Sequence, residues 1–205
     1  MFFRTDRTRT LFAIALAFSA LPVLAAPTAV PEGGKTSVTL SPVFLQALAT
    51  LKVAPAATAP GRLVARQGAV VASFPITTGA IDAGTLVAEV DHVGGLSLTA
   101  GSTVVKLSAF LINLPGSGTP TLTGLVTANG SLVGRLPLFD LAVSSKGVSA
   151  GEGRIRVSGV GVTLDAAAAQ ALNQVFKVTA FKEGIPIGTA TVDAFVGEEG
   201  EDRDR

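Results

Sequence analysis

The chain has 205 residues, with 16 Lys and Arg against 15 Asp and Glu, one His, and no Cys, Trp or Tyr. So small a charge excess leaves no electrostatic footprint for nucleic acid, and the missing cysteines exclude a disulfide framework, a thiolate nucleophile and a thiolate metal site. The missing Tyr and Trp remove the rings on which sugar clefts, base-stacking platforms and many interface hot spots rely.

Met1–Thr10 carries Arg4, Arg7 and Arg9, and Leu11–Leu24 is an almost unbroken apolar run. Val23 and Ala25 then stand at the −3 and −1 positions of a cleavage site. This order predicts a cleaved Sec-type signal peptide over 1–25. The run is short for a membrane anchor, and Pro22 lies near its end. Neither a twin-arginine pair nor a cysteine for lipid attachment is present. Cleavage leaves 205 − 25 = 180 residues, with 16 − 3 = 13 basic and 15 − 1 = 14 acidic side chains, a net −1. That length suits one domain with a real core, and no later apolar run is long enough to cross a bilayer. The expected location is secreted, periplasmic or cell-surface.

Residues 26–36 (APTAVPEGGKT) read as a flexible Pro/Gly-rich linker, and 37–197 as a single domain. Ser37–Leu40 begins a strand. Ser41-Pro42 is a helix start, with Ser at the N-cap and Pro at the first helical position. Val43, Phe44, Ala47, Leu48 and Leu51 follow on one helical face. A partial copy appears later: Val38–Leu48 and Val162–Leu172 share Val-Thr-Leu and Gln-Ala-Leu without gaps, and Asp165 takes the capping place of Ser41. The two units are expected at corresponding places near the two ends of the domain.

Ala54–Gly61 reads as a loop. Arg62–Arg66 and Ala69–Ile76 are predicted strands, and Thr77–Thr85 a turn. Leu86–Leu114 then reads as a strand, a Gly-centred turn and two further strands. Pro115–Pro120 is a tight loop. Thr121–Ala128 and Ser131–Phe139 flank Asn129-Gly130, whose residues both tolerate positive φ as a type I′ hairpin turn requires. Ser144–Gly153 is a polar turn, Arg154–Leu164 leads into the second helix, and Ile185–Phe195 is a closing strand. Residues 198–205 (EEGEDRDR) form a charged tail expected to be disordered. Short alternating segments with Gly turns predict a mainly β domain, an antiparallel β-sandwich of immunoglobulin-like or related type with two short α-helices. A closed barrel is the competing architecture.

Chemistry is sparse. Asp91 and His92 are neighbours, but adjacent strand residues point to opposite faces and cannot act together. No Gly-x-Ser-x-Gly elbow, phosphate loop or acidic calcium loop occurs, and one His without Cys makes no zinc site. The sequence therefore points away from an enzyme. His92 reads either as a strand-end residue bonding a turn carbonyl or as a pocket residue orienting a ligand. Gly94-Gly95, just after it, lets backbone approach a partner closely.

His92-Val93-Gly94-Gly95-Leu96-Ser97-Leu98 follows a strand. Later come Thr163-Leu164-Asp165 at the start of an Ala-rich helix, then Ala180-Phe181-Lys182-Glu183-Gly184 with Ile187-Gly188. In this order the motifs resemble the HtaA-type domain of secreted bacterial proteins, over roughly Val38–Val196. The resemblance implies an exported or surface-bound protein, and haem held through a tyrosine supported by a histidine. Carried over, His92 takes the histidine's place, and Phe181 stands where the tyrosine is expected. Phe has no oxygen to offer iron. With no Tyr, Cys or internal Met after the leader, His92 alone is left as an axial ligand, so the resemblance speaks to fold and location more than to haem.

The expected function is a non-catalytic binding or cell-surface interaction module without a cofactor, whose partner is a protein or a hydrophobic small molecule. The alternative is a carrier of haem or another hydrophobic ligand in a pocket near His92; a third reading is a hydrolase accessory domain. The candidate ligand-contacting residues are His92, Gly94, Gly95 and Phe181, with no nucleic acid and no integral membrane segment after cleavage.

Overall fold

The computed structural model describes residues 28–82 and 84–197; the proposed leader and the charged tail lie outside them. The chain runs β1 (Pro31–Leu40), α1 (Pro42–Thr50), β2 (Ala54–Thr58), β3 (Arg62–Arg66), β4 (Ala69–Ile81), β5 (Ala88–His92), β6 (Gly95–Ala100) and β7 (Thr103–Leu114). It continues through β8 (Thr121–Ala128), β9 (Ser131–Ala142), β10 (Val148–Gly151), β11 (Arg154–Leu164), α2 (Ala166–Phe176) and β12 (Pro186–Val196).

The domain is mainly β with two helices, but it is not a sandwich. The path β7-β5-β4-β1-β12-β11-β9-β8 closes on itself, because β8 also pairs with β7 from Val105↔Ala128 to Asn113↔Thr121. All pairings in this ring are antiparallel, so it is an eight-stranded closed barrel. Alternation predicts an inner and an outer face for each strand in either architecture; pairing between its ends separates the two. β7 makes the closure. Its outer edge takes β8, while the other edge serves β6 from Thr103 to Ser108 and β5 from Leu111 to Leu114. Ala109, at φ 48°, marks the changeover, and the β7–β8 register shifts there, as a bulge that bends a strand requires.

Strand signals were incomplete where pairing rather than pattern decides. The predicted linker gives way to strand at Pro31, since residues 31–36 pair with β12 and, from Lys35, also with β4. Thr77–Ile81, expected in a turn, extends β4 against β5. Ala54–Thr58, expected in a loop, adds to β6 as a strand. Val148–Gly151 pairs with β11. Each segment is weakly apolar and takes strand geometry from the edge beside it.

The two strand-cap-helix units flank one strand: β1 and β11 both pair antiparallel with β12, so α1 and α2 leave from the same end of the barrel. Ser41 accepts a hydrogen bond from the Phe44 amide at 3.1 Å, and Asp165 from the Ala167 amide at 2.6 Å. Leu40 and Leu48 in one unit, and Leu164 and Leu172 in the other, enter the core at matching positions.

The outer wall carries many charged side chains beside exposed apolar ones such as Val64, Leu132 and Phe195. Lys35, Glu89, Asp91, Lys106, Arg154 and Arg156 project from it, and Asp193 pairs with both Arg154 and Arg156. An outer-membrane barrel has the reverse arrangement, an apolar wall around a polar lumen. No helix among the described residues is long and apolar enough to cross a membrane.

In denaturant titrations, Ser41→Ala and Asp165→Ala should each cost about 1 kcal/mol, the usual loss of a helix cap. Leu164→Ala, at a side chain only 1% exposed, should cost about 2–5 kcal/mol.

Candidate functional site

Alternation along β5 is strict. Ala88, Val90 and His92 are buried while Glu89 and Asp91 are exposed. His92 therefore enters the lumen and Asp91 faces solvent, which separates the two side chains as expected from strand geometry. On β1, Thr36, Val38 and Leu40 turn to the same interior, and the Thr36 hydroxyl lies 2.7 Å from His92 Nε2. Among the described residues, Thr36 and His92 are the two buried polar side chains, 3% and 4% exposed, in an otherwise apolar core.

They line a cavity of about 240 Å³ inside the barrel. Every strand of the ring contributes to its wall, with Phe44 of α1 and Leu172 of α2 at the helical end. Among the described residues, its polar lining side chains are Thr36, His92 and Gln174. The wall reaches exposed side chains at Val133 of β9 and Gln174 of α2, where the lumen meets solvent.

Hydrogen-bond counting assigns the imidazole. Nδ1 has no partner. If Nε2 carried the proton, both the Thr36 hydroxyl hydrogen and the Nδ1 lone pair would be stranded. If Nδ1 carries it, Thr36 donates to Nε2 and only one N–H is left over. No partner of Nδ1 meets strict hydrogen-bond geometry, but the backbone carbonyls of Phe110 and Val90 approach the ring and favour its protonated form. Burial outweighs those carbonyls and the outward Asp91 carboxylate, and holds the His92 pKa at about 4. The ring is thus a neutral donor in an apolar chamber, tied to a strand 56 residues away rather than to a turn carbonyl.

The other candidate residues lie in different settings. A Cβ on Gly94 would come 2.4 Å from the Gly61 nitrogen, and one on Gly95 2.2 Å from the Leu107 carbonyl oxygen. The close approach these glycines permit is to the chain's own backbone, where β5 turns into β6. Phe181 is buried beside the Phe176 ring, 6.4 Å between centroids, and Asn173 bonds both its backbone nitrogen and its oxygen. It does not line the cavity that holds His92. Thr36 falls in the predicted linker 26–36, whereas the strand begins at Pro31 rather than Ser37; the alternation Thr36-Val38-Leu40 is the signal that marks it. Among the described residues, no three His, Cys, Asp or Glu side chains gather to hold a metal ion.

The neutral, buried state of His92 sets a pH dependence. The folded protein keeps His92 uncharged down to about pH 4, whereas the unfolded chain protonates it near its ordinary 6.5. This contribution is complete above pH 6.5 and is lost as the pH falls towards 4, a loss of about 3 kcal/mol by linkage. Chemical denaturation at successive pH values should show that slope in the wild type and not in His92→Phe. Thr36→Val should cost about 1–3 kcal/mol by stranding Nε2, and most of that cost should vanish when His92 is already Phe.

No family model matches the chain, and no curated protein does. Solved structures do. The C-terminal domain of HtaA from Corynebacterium glutamicum superposes with a TM-score of 0.62 at 15% identity, over 82% of this chain and 99% of that domain. A domain-swapped dimer of a histidine-to-alanine variant of that domain gives 0.52 at 16% identity, over 75% and 88%. The haem-binding protein HtaB of the same organism gives 0.53 at 10% identity, over 83% and 96%. Identity this low speaks for the fold alone. The chain has the fold of the C-terminal domain of HtaA.

Proposed function

We propose that this protein is a non-catalytic carrier, exported by the leader 1–25, that holds a small hydrophobic ligand in its barrel lumen beside His92. The observation that carries the reading is the apolar cavity of about 240 Å³ inside the barrel, with His92 and Thr36 in its lining. An eight-stranded barrel is just wide enough either to be filled by its own side chains or to hold one small ligand. An apolar cavity of about 150 Å³ already takes up benzene, so this one suits a molecule about half as large again. Catalysis finds little support, since His92 has no acidic partner in the lumen and burial keeps it neutral.

Haem is the second reading, favoured by the shared fold with HtaB, a haem-binding protein. The lumen as folded does not fit it. The cavity lies below the roughly 300–1,000 Å³ of pockets for drug-sized ligands, and a tetrapyrrole needs more than most of those. No Lys or Arg lines it to receive two carboxylates. His92 Nε2 already holds Thr36, and Phe181, with no oxygen, packs elsewhere.

Two measurements test the proposal. Uptake of a neutral hydrophobic dye should raise its fluorescence in the wild type and fall at least several-fold in Ala190→Phe, which fills the lumen from β12. An unchanged signal in that variant would put the dye on the outer surface and end the lumen reading. Titration with micromolar haemin should give no Soret shift that depends on His92; a shift abolished in His92→Ala would replace the small ligand with haem. Export is read separately, from secreted protein whose first residue is Ala26.

A further inference from the structure

The helical end of the barrel differs in kind from its sides. Neither α1 nor α2 contains a charged residue, and a lysine stands just beyond each, Lys52 and Lys177. The β8–β9 hairpin rises beside α2, because β9 meets β11 only from Phe139 to Ala142 and residues 131–138 continue past its end. Near the tip Leu132 is 68% exposed and Val133 50%. Val133 also lines the lumen, so the exposed apolar patch and the mouth of the cavity are continuous.

Charge on this side of the barrel has one sign. From His92 to Phe139 the chain has no Asp or Glu, yet it carries Lys106 and Arg135. Lys106, Thr127 and Leu132 form one cross-strand row, which sets a cation on the same outer face as the exposed leucine. Arg135 is fixed across β8 by hydrogen bonds to the Ala109 carbonyl and the Thr123 hydroxyl. The acids at this end, Asp140, Asp165 and Glu183, gather instead at the foot of α2.

We propose that this end of the barrel docks reversibly on an anionic lipid bilayer, with Leu132 and Val133 entering the interface and Lys106 and Arg135 meeting the headgroups. Aliphatic side chains flanked by cations are what such an interface selects. A few part-exposed side chains do not make the apolar centre of a stable protein interface, which buries about 1,600 Å² in all. Shallow insertion into lipid needs no matching surface. The docking stands on this rim alone; that it loads or unloads the lumen rests on the carrier reading. An apolar ligand prefers lipid to water, and a mouth held against the bilayer passes it without crossing solvent.

The test uses the chain from Ala26 onward, which contains the whole described fold and lacks the apolar run 11–24 that would itself bind lipid. The protein should sediment with vesicles of equal parts phosphatidylcholine and phosphatidylglycerol, and far less with phosphatidylcholine alone. Leu132→Glu and Lys106→Glu should each weaken this partition about tenfold. Phe195→Glu places the same charge at the opposite end of the barrel, where Phe195 pairs with Gly33, and should leave it unchanged. The sequence has no cysteine, so Ser131→Cys accepts a single environment-sensitive dye at the hairpin tip. Its emission should shift to the blue on mixed vesicles, and that of Phe195→Cys should not. All four positions are exposed, so the variants keep the fold.

Binding that Leu132→Glu leaves intact, or a shift at position 195 instead of 131, would overturn the docking and leave the lumen reading in place. Equal binding to phosphatidylcholine alone would overturn the role of the cations. A dimer formed without lipid and lost in Leu132→Glu would replace the bilayer with a second copy of the chain. Docking as described, in a protein whose lumen takes up no hydrophobic dye, would keep the rim and end the carrier reading.

Discussion

Closure is the constraint on which the rest of this structure depends. Once β8 pairs with β7 as well as β9, every strand of the ring must send alternate side chains into one shared, enclosed volume. That volume has no second layer to share its packing, and eight strands enclose little more than their own side chains can fill. The buried set from Leu40 to Ala194 covers the wall, and the two helices seal one end with Phe44, Leu48, Ala168 and Leu172. A residual space of about 240 Å³ remains in the middle. An empty space of this size forfeits dispersion contacts for its lining, so a core selected for stability alone would be expected to fill it.

Within that lumen, Thr36 and His92 stand out because every other buried side chain among the described residues is apolar. An interior valine and phenylalanine would satisfy packing without the desolvation of an imidazole. The retained pair leaves one nitrogen unsatisfied, which runs against the stability of the empty protein.

The duplicated strand-cap-helix unit has a structural explanation. Leu40 and Leu164 end strands on either side of β12, and Ser41 and Asp165 each stop the strand and start a helix at that point. Two short helices that would be marginal alone persist because each docks a Leu at the same height of the barrel. Gly188 sits between them on β12, where a Cβ would come 2.2 Å from the Thr39 carbonyl oxygen. The likeness between Val38–Leu48 and Val162–Leu172 thus marks two elements that close one rim together.

Local physics made much of this legible in advance. Alternation set His92 and Asp91 on opposite faces, the caps Ser41 and Asp165 started both helices, and Asn129-Gly130 turned the β8–β9 hairpin. These depend on residues within a few positions of one another. What the sequence could not determine depends on partners far along the chain. Ala54–Thr58 and residues 31–36 have no pattern of their own and become strands only because β6 and β12 offer them an edge. Whether two faces close as a sandwich or a ring is decided by the β7–β8 pairing, since alternation reads the same in both. The site divides the same way: of the sequence candidates His92, Gly94, Gly95 and Phe181 only His92 lines the lumen, while Thr36 meets it across 56 residues, and the cavity takes shape, once the barrel closes.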